Sequence, residues 1–186
     1  MNLVFFLEEL SAKEALSGVL TSVLSREINI KYIVFQGKQD LEKQIERKIK
    51  NWLAPDTKFI ILRDKDSGDC ITIKKSLYEK CKSAEREDTL IRIACHELES
   101  WYLGDLEAVE KGLGISGLSK LQNGKYKTPD DFANSSQELI NVTKKKYQKV
   151  SGSRAIAPYL RVDGKNRSHS FNVFIDGVIN VANNRK

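Results

Sequence analysis

Apolar positions along the chain fall into two rhythms. Leu3 to Leu7 and Phe59-Ile60-Ile61-Leu62 are short continuous apolar runs closed by charged residues, and Leu90-Ile91-Arg92-Ile93-Ala94-Cys95 is a further strand-like run interrupted at Arg92. Such runs predict strands buried on both faces. Ile28, Ile30, Tyr32 and Val34 alternate with other side chains, which predicts a strand over 28–36. Between the runs the period lengthens to that of a helix. One stripe is Ala12, Ala15, Leu16, Val19, Leu20, Val23 and Leu24; a second is Leu41, Ile45, Ile49, Trp52 and Leu53; a third is Ile73, Leu77, Cys81 and Ala84. Ser11 with Glu14 three residues on has the spacing of a capping box for the first helix. Strands alternating with helices in the order β-α-β-α-β-α-β predict a parallel sheet with right-handed crossovers and helices on both faces.

Beyond the fourth strand the rhythm weakens. His96 to Leu103 is expected to be helical, and Asp105 to cap a short helix through Val109 and Leu113. Residues 104–135 carry little period and suggest an insert-like region, with Thr128-Pro129-Asp130-Asp131 as a helix start. Helices are expected over 136–147, from Ser151-Gly152-Ser153-Arg154, and over 170–182. In the last, Phe171, Phe174, Ile175, Val178 and Ile179 share a face that should dock on the sheet. The whole describes one domain over 1–186, an α/β core over 1–103 and a helical, basic extension over 104–186.

Composition narrows the class. The chain of 186 residues is 40% hydrophobic, enough for a core without staples. No stretch resembles a signal peptide or a membrane span, so a cytoplasmic protein without membrane contact is expected. Cys70, Cys81 and Cys95 lack close C-x-x-C spacing and are expected to be reduced, which argues against structural zinc. The net charge of +6 is uneven: residues 144–186 hold 10 Lys and Arg against 2 Asp and Glu. That asymmetry points to a polyanion such as nucleic acid, although a basic tail is also simply soluble.

The candidate chemistry lies where strands end. Glu8 and Glu9 follow the first strand; Asp64, Asp66 and Asp69 follow the third; Glu97 and Glu99 follow the fourth. In a parallel sheet these ends share one rim, where open α/β sheets bind ligands. Hard oxygen donors crowded there point to Mg²⁺ or Mn²⁺, able to bind a phosphate oxygen and activate water. The plainer alternatives are a solvated turn at Asp64 to Asp69 and dipole-favoured acids at Glu8 and Glu9. Glu97 and Glu99 cannot share a helical face, and Glu99 is the favoured one. Lys149, Arg154 and Arg167 are candidates for clamping phosphate. His169, between two serines, fits a helix cap better than catalysis, and Trp101 and Tyr102 fit packing. No G-x-x-x-x-G-K-[ST] occurs, so any ATP use belongs to a partner.

Three stretches together resemble a known family: the strand into Glu8-Glu9-Leu10-Ser11, the strand into Asp64-Lys65-Asp66, and Cys95-His96-Glu97-Leu98-Glu99-Ser100-Trp101-Tyr102-Leu103. They are similar to the Toprim (topoisomerase–primase) fold, and most to small Toprim-like proteins related to the nuclease half of OLD-type (overcoming lysogenisation defect) systems. The likeness extends over Tyr147 to Ile156 and Asn166 to Phe171. It implies a Toprim-like, Rossmann-like parallel sheet and a metal-dependent nuclease acting on DNA or RNA, the effector of a defence against phage or foreign DNA that works with an ATPase partner, with a homodimer as its candidate assembly. It implies Glu8 as metal ligand or general acid/base, Asp64 and Asp66 as the Asp-x-Asp metal ligands, and Glu99 as a supporting acid. Glu9, Asp69 and Glu97 are additional acids. The chain departs from the pattern at Glu9, where the family has glycine, a change expected to remove backbone freedom at a tight turn. A catalytically inactive Toprim-like module that binds nucleic acid or a partner is therefore the alternative. A receiver domain fits less well, because the first pair here is Glu-Glu, the third strand gives Asp-x-Asp and Glu99 stands where a hydroxyl-bearing strand end is expected; a haloacid-dehalogenase-type phosphatase would need its Asp-x-Asp at the first strand.

Overall fold

The computed structural model describes residues 1–183; the last part of the basic tail, including Arg185 and Lys186, lies outside the described residues. Its sheet contains β1 (Asn2–Leu7), β2 (Asn29–Val34), β3 (Thr57–Asp64) and β4 (Leu90–Ala94). The strands lie in the order β2-β1-β3-β4, and every pairing is parallel. The crossover helices are α1 (Leu10–Val19), α2 (Lys38–Lys50) and α3 (Cys70–Ser83). The architecture is α/β and Rossmann-like, as the alternation of periods predicts.

Alternation along the central strands builds two cores. Leu3, Phe5 and Leu7 of β1 with Ile60 and Leu62 of β3 face α1 and the C-terminal helices. Val4 and Phe6 with Phe59 and Ile61 face α2 and α3. All nine are essentially inaccessible to solvent, the condition of a sheet covered on both sides. The next residues out inherit these faces. Asp64 extends the side of Leu62, and Arg63 extends the side of Ile61.

The strand order sets where a ligand can enter. The chain leaves β1 toward β2 on one side, then crosses to β3 and β4 on the other, so the direction of winding reverses between β1 and β3. Loops diverge there and open a crevice at the C-terminal strand ends. Glu8 and Asp64 stand on its two sides.

The extension is packed rather than loose. After β4 come α4 (Glu99–Leu103), α5 (Leu106–Leu113), α6 (Ser135–Val142), α7 (Lys149–Ile156) and α8 (His169–Asn183). The insert-like reading of 104–135 is corrected by its anchors. Gln122 accepts from the Leu106 amide at 2.7 Å and donates to the Leu103 and Tyr126 carbonyls, and Tyr126 is buried. Side-chain bonds to backbone hold this segment, and they leave no period in the sequence. The predicted last helix does dock: Trp101 packs on Phe171 and Phe174, and the Arg92 Nε of β4 donates to the Val173 carbonyl at 3.2 Å. A Cβ on Gly177 would lie 2.6 Å from that guanidinium, so glycine lets the arginine lie close against α8.

Smaller differences follow local chemistry. Helix α1 begins one residue before Ser11, with Glu9 at its N-cap position, and Ser11 Oγ donates back to Glu9 Oε1 at 2.5 Å. The capping-box reading is thus replaced by an acid at the helix start, and Glu14 instead binds Arg154. The expected helix over 96–103 is shortened to 99–103, because His96 has φ +58 and turns the chain. The helix expected over 136–147 ends at Val142, after which Lys144 and Lys145 take left-handed φ values of 52° and 65°. No helix among the described residues is long and apolar enough to cross a membrane. All three cysteines are free.

Candidate metal centre

Asp64 ends β3 at the crevice and is the hub of the site. Its carboxylate touches solvent through a limited opening yet lies deep among protein atoms. Burial pushes its pKa well above the ordinary carboxylate range, and the fields of Glu99, Glu8 and Glu9 push it further, while Lys149 opposes them. Glu8, half-buried on the facing strand end, accepts a 3.3 Å hydrogen bond from the Asp64 amide, which ties the two walls together. Burial raises the Glu8 pKa too; the Asp64 amide works against this and Asp66 adds to it.

Glu99 is the most sequestered acid, with no accessible surface at the first residue of α4. Tyr147, buried, donates its hydroxyl to Glu99 Oε1 at 2.9 Å, whereas Oε2 is buried without any hydrogen-bond partner. Desolvation raises its pKa, and Lys149 and the Tyr147 hydroxyl oppose that rise. An unmatched buried carboxylate oxygen costs about 1–3 kcal/mol or more, so something must offset it or the group must hold a proton. Tyr102, also fully buried, has its hydroxyl beside Ser153 without a hydrogen bond of acceptable geometry.

Lys149 brings the extension into the site. Its ammonium pairs with Glu9 Oε1 at 2.8 Å from the first residue of α7. Burial would lower its pKa, but the bond to Glu9 and the fields of Glu99 and Asp64 outweigh it and raise the value. Glu9 has φ −151° and ψ 168°, an extended conformation open to any residue. The expected loss of backbone freedom at the family's glycine position is therefore corrected, because this turn needs no left-handed residue.

The other acids divide from this group. Asp66 ion-pairs with Lys38 at 2.8 Å and is about one-third exposed, on the side of Glu8 and Arg63. It has φ +51°, and its amide donates to the His96 carbonyl at 2.7 Å while His96 Nδ1 lies 3.0 Å from the Asp66 carbonyl. Two left-handed non-glycine residues clipped together across β3 and β4 hold about 1–3 kcal/mol of strain each, a pattern found at functional rims. Asp69, proposed as an additional acid, is the N-cap of α3: it accepts from the Thr72 amide and hydroxyl, both at 2.8 Å, and its pKa is lowered accordingly. Glu97 accepts from the Ser136 amide at 2.7 Å and anchors the start of α6. Both are structural.

Of the three candidate phosphate contacts, only Lys149 reaches the acids. Arg154 is exposed and pairs with Glu14 on α1 at 2.6 Å. Arg167 lies with Asn123 at 2.8 Å, against α5 and the segment that follows it. Sequence reasoning missed Tyr147, whose role depends on a contact 48 residues away in the chain. It also missed Arg63, which is buried, pairs with Glu42 at 3.2 Å and leaves Nε and Nη1 unpartnered beside Glu8. A lone arginine closing an apolar strand was the available signal.

Among the described residues, no three His, Cys, Asp or Glu side chains form a ready-made metal-ligand cluster. The chemistry of the donors still suits a hard divalent cation: carboxylates with raised pKa values and one orphaned oxygen are what such an ion neutralises. No curated protein and no solved structure matches the chain. A family model does match, over residues 7–179, and so includes every residue of this centre; the chain belongs to the family described as Domain of unknown function (DUF4276).

Proposed function

We propose that the chain is a Mg²⁺- or Mn²⁺-dependent phosphodiesterase that hydrolyses DNA or RNA. The observation that carries this reading is the pair of Asp64, at the strand-order reversal, and Glu99, at the start of α4: two protein-surrounded carboxylates whose pKa values burial raises. Structural acids in this chain are matched by amides or ammonium groups; Glu99 Oε2 is matched by nothing.

Asp64, Glu8 and Asp66 would hold the ion, with Glu99 in support. A divalent ion there supplies Lewis-acid polarisation of a phosphoryl oxygen and a lowered pKa for attacking water. The chain's own residues do the rest. Tyr147 fixes the rotamer of Glu99, the Asp64 amide fixes Glu8, and Lys149 sets the balance of charge at the opening. Exchange of the Lys149 ammonium from Glu9 to a phosphate oxygen would bring a substrate strand against the acids. Within the Toprim-like resemblance, the protein acts as a defence effector alongside an ATPase partner.

A second reading rests on the same lysine. The Lys149 ammonium already offsets Glu9, Glu99 and Asp64, as a cation would. A self-neutralised centre suits a module that binds nucleic acid or a partner without turnover. Cleavage of supercoiled plasmid, linear DNA and tRNA with Mg²⁺ or Mn²⁺ separates the two. The nuclease reading expects cleavage by the wild type, loss in Asp64→Ala and Glu8→Ala, and retention in Asp69→Ala. Binding without turnover under all of these conditions supports the module.

A further inference from the structure

The extension carries a second polar hollow that shares no lining residue with the acidic centre. It has a volume of about 510 Å³, and Arg161, Lys165, Arg167, Asn123, Gln122 and Glu107 line it. It lies at the C-terminal end of α4, whereas Glu99 occupies the N-terminal end.

The loop that supplies its cations is held rigidly. Buried Asp105 accepts from the Arg161 amide at 2.9 Å and from Arg161 Nε at 3.2 Å. Buried Asn166 donates to the Trp101 carbonyl at 3.0 Å and accepts from the Ser168 amide at 2.8 Å. The Arg167 amide donates to the Gly104 carbonyl at 2.9 Å. A Cβ at Gly104 would fall 2.0 Å from Asn166 Oδ1, so glycine there is what admits the loop. Asp105, which also caps α5, and Asn166 thus hold the loop in one conformation with their polar atoms matched by hydrogen bonds.

The donors this loop displays are only partly used. Arg161 commits Nε to Asp105, and among the described residues its two terminal nitrogens make no hydrogen bond. Arg167 commits one terminal nitrogen to the neutral Asn123 and makes no ion pair among the described residues. Lys165 pairs with the exposed Asp163 at 3.2 Å, an exchangeable contact. The one acid on the wall, Glu107, is occupied by Lys111 at 2.9 Å. Gln122 has both amide atoms engaged with backbone and serves as wall. Two guanidinium groups with open donors and an ammonium around one concavity make a site for a tetrahedral oxyanion, since planar forks match phosphate bidentately. The volume suits a small organic phosphate.

We propose that this hollow binds a phosphate-bearing ligand, a nucleotide or the terminal phosphate of a nucleic-acid strand, through Arg161, Lys165 and Arg167. The site stands independently of the nuclease reading. Calorimetric titration of the full chain with pyrophosphate in EDTA tests it, with binding expected for the wild type. Arg167→Gln, at an exposed side chain whose backbone amide keeps its bond to Gly104, should weaken binding about tenfold or more. Lys165→Gln should weaken it less, and Lys50→Gln, at an exposed lysine of α2 that pairs with Glu46, should leave it unchanged. Adenosine monophosphate against a 5′-phosphorylated and an unphosphorylated oligonucleotide then distinguishes the two sources. No binding at millimolar pyrophosphate, equal affinity in Arg167→Gln with unchanged circular dichroism, or loss in Lys50→Gln would overturn the assignment.

Discussion

Two sets of acids close the same sheet and behave in opposite ways. Asp69 and Glu97 each have a ready partner: the amino end of α3 and the amino end of α6. Asp64 and Glu99 are surrounded by protein, burial raises the cost of ionising both, Glu99 adds to that cost at Asp64, and Glu99 Oε2 is left without a donor. The residue types are the same and they stand within a few positions of one another. What differs is whether the surroundings were built to match the charge, and the unmatched set marks the place for something the chain does not itself supply.

The sharpest way to break the comparison is activity. Asp64→Asn should lower the cleavage rate on the order of 10²–10³-fold, the scale for a group acting at the reacting centre. Asp69→Ala should leave the rate within about twofold while costing about 1 kcal/mol of stability for the lost cap, read from denaturant unfolding. Equal losses of activity would erase the distinction between the two sets.

Stability in the absence of metal gives the next largest effect. Glu99→Gln removes a buried charge and should stabilise the metal-free protein at neutral pH by on the order of 1–3 kcal/mol. The sign with pH is specific. Glu99 and Asp64 have folded pKa values above their unfolded ones, so between those values the folded state holds more protons. Their contribution is fully present below the unfolded range, about pH 4, and is lost as pH rises through the folded values. The gap between Glu99→Gln and wild type should therefore widen from acid toward neutral pH in thermal melts. A gap independent of pH would show that Glu99 is not a strained acid.

The smallest expected effect concerns Lys149. It opposes the rise of both acids, so Lys149→Met should move the acid limb of the pH–rate profile to higher pH. An unmoved limb would place the ammonium with Glu9 alone.

Much of this arrangement was legible. Buried runs ending in acids located β1, β3 and the crevice, because a strand covered on both faces has to be apolar until it leaves the sheet. Asp69 could have been sorted in advance, since Thr72 three residues on is the partner an N-cap needs. Glu99 and Tyr147 could not be joined from sequence: each is an unremarkable residue, and their bond exists only once α4 and α7 meet. The same holds for Asp105 and Asn166, whose partners lie more than fifty residues away and whose geometry creates the cationic hollow.

The central claim is that the Asp64–Glu99 centre takes a divalent cation, and Mn²⁺ titration followed by electron paramagnetic resonance tests it most directly. The account predicts that wild-type protein depletes the free Mn²⁺ signal, that Asp64→Asn and Glu99→Gln lose this uptake, and that Asp69→Asn keeps it. A free-ion signal untouched by wild type, or uptake that survives Asp64→Asn, would contradict it.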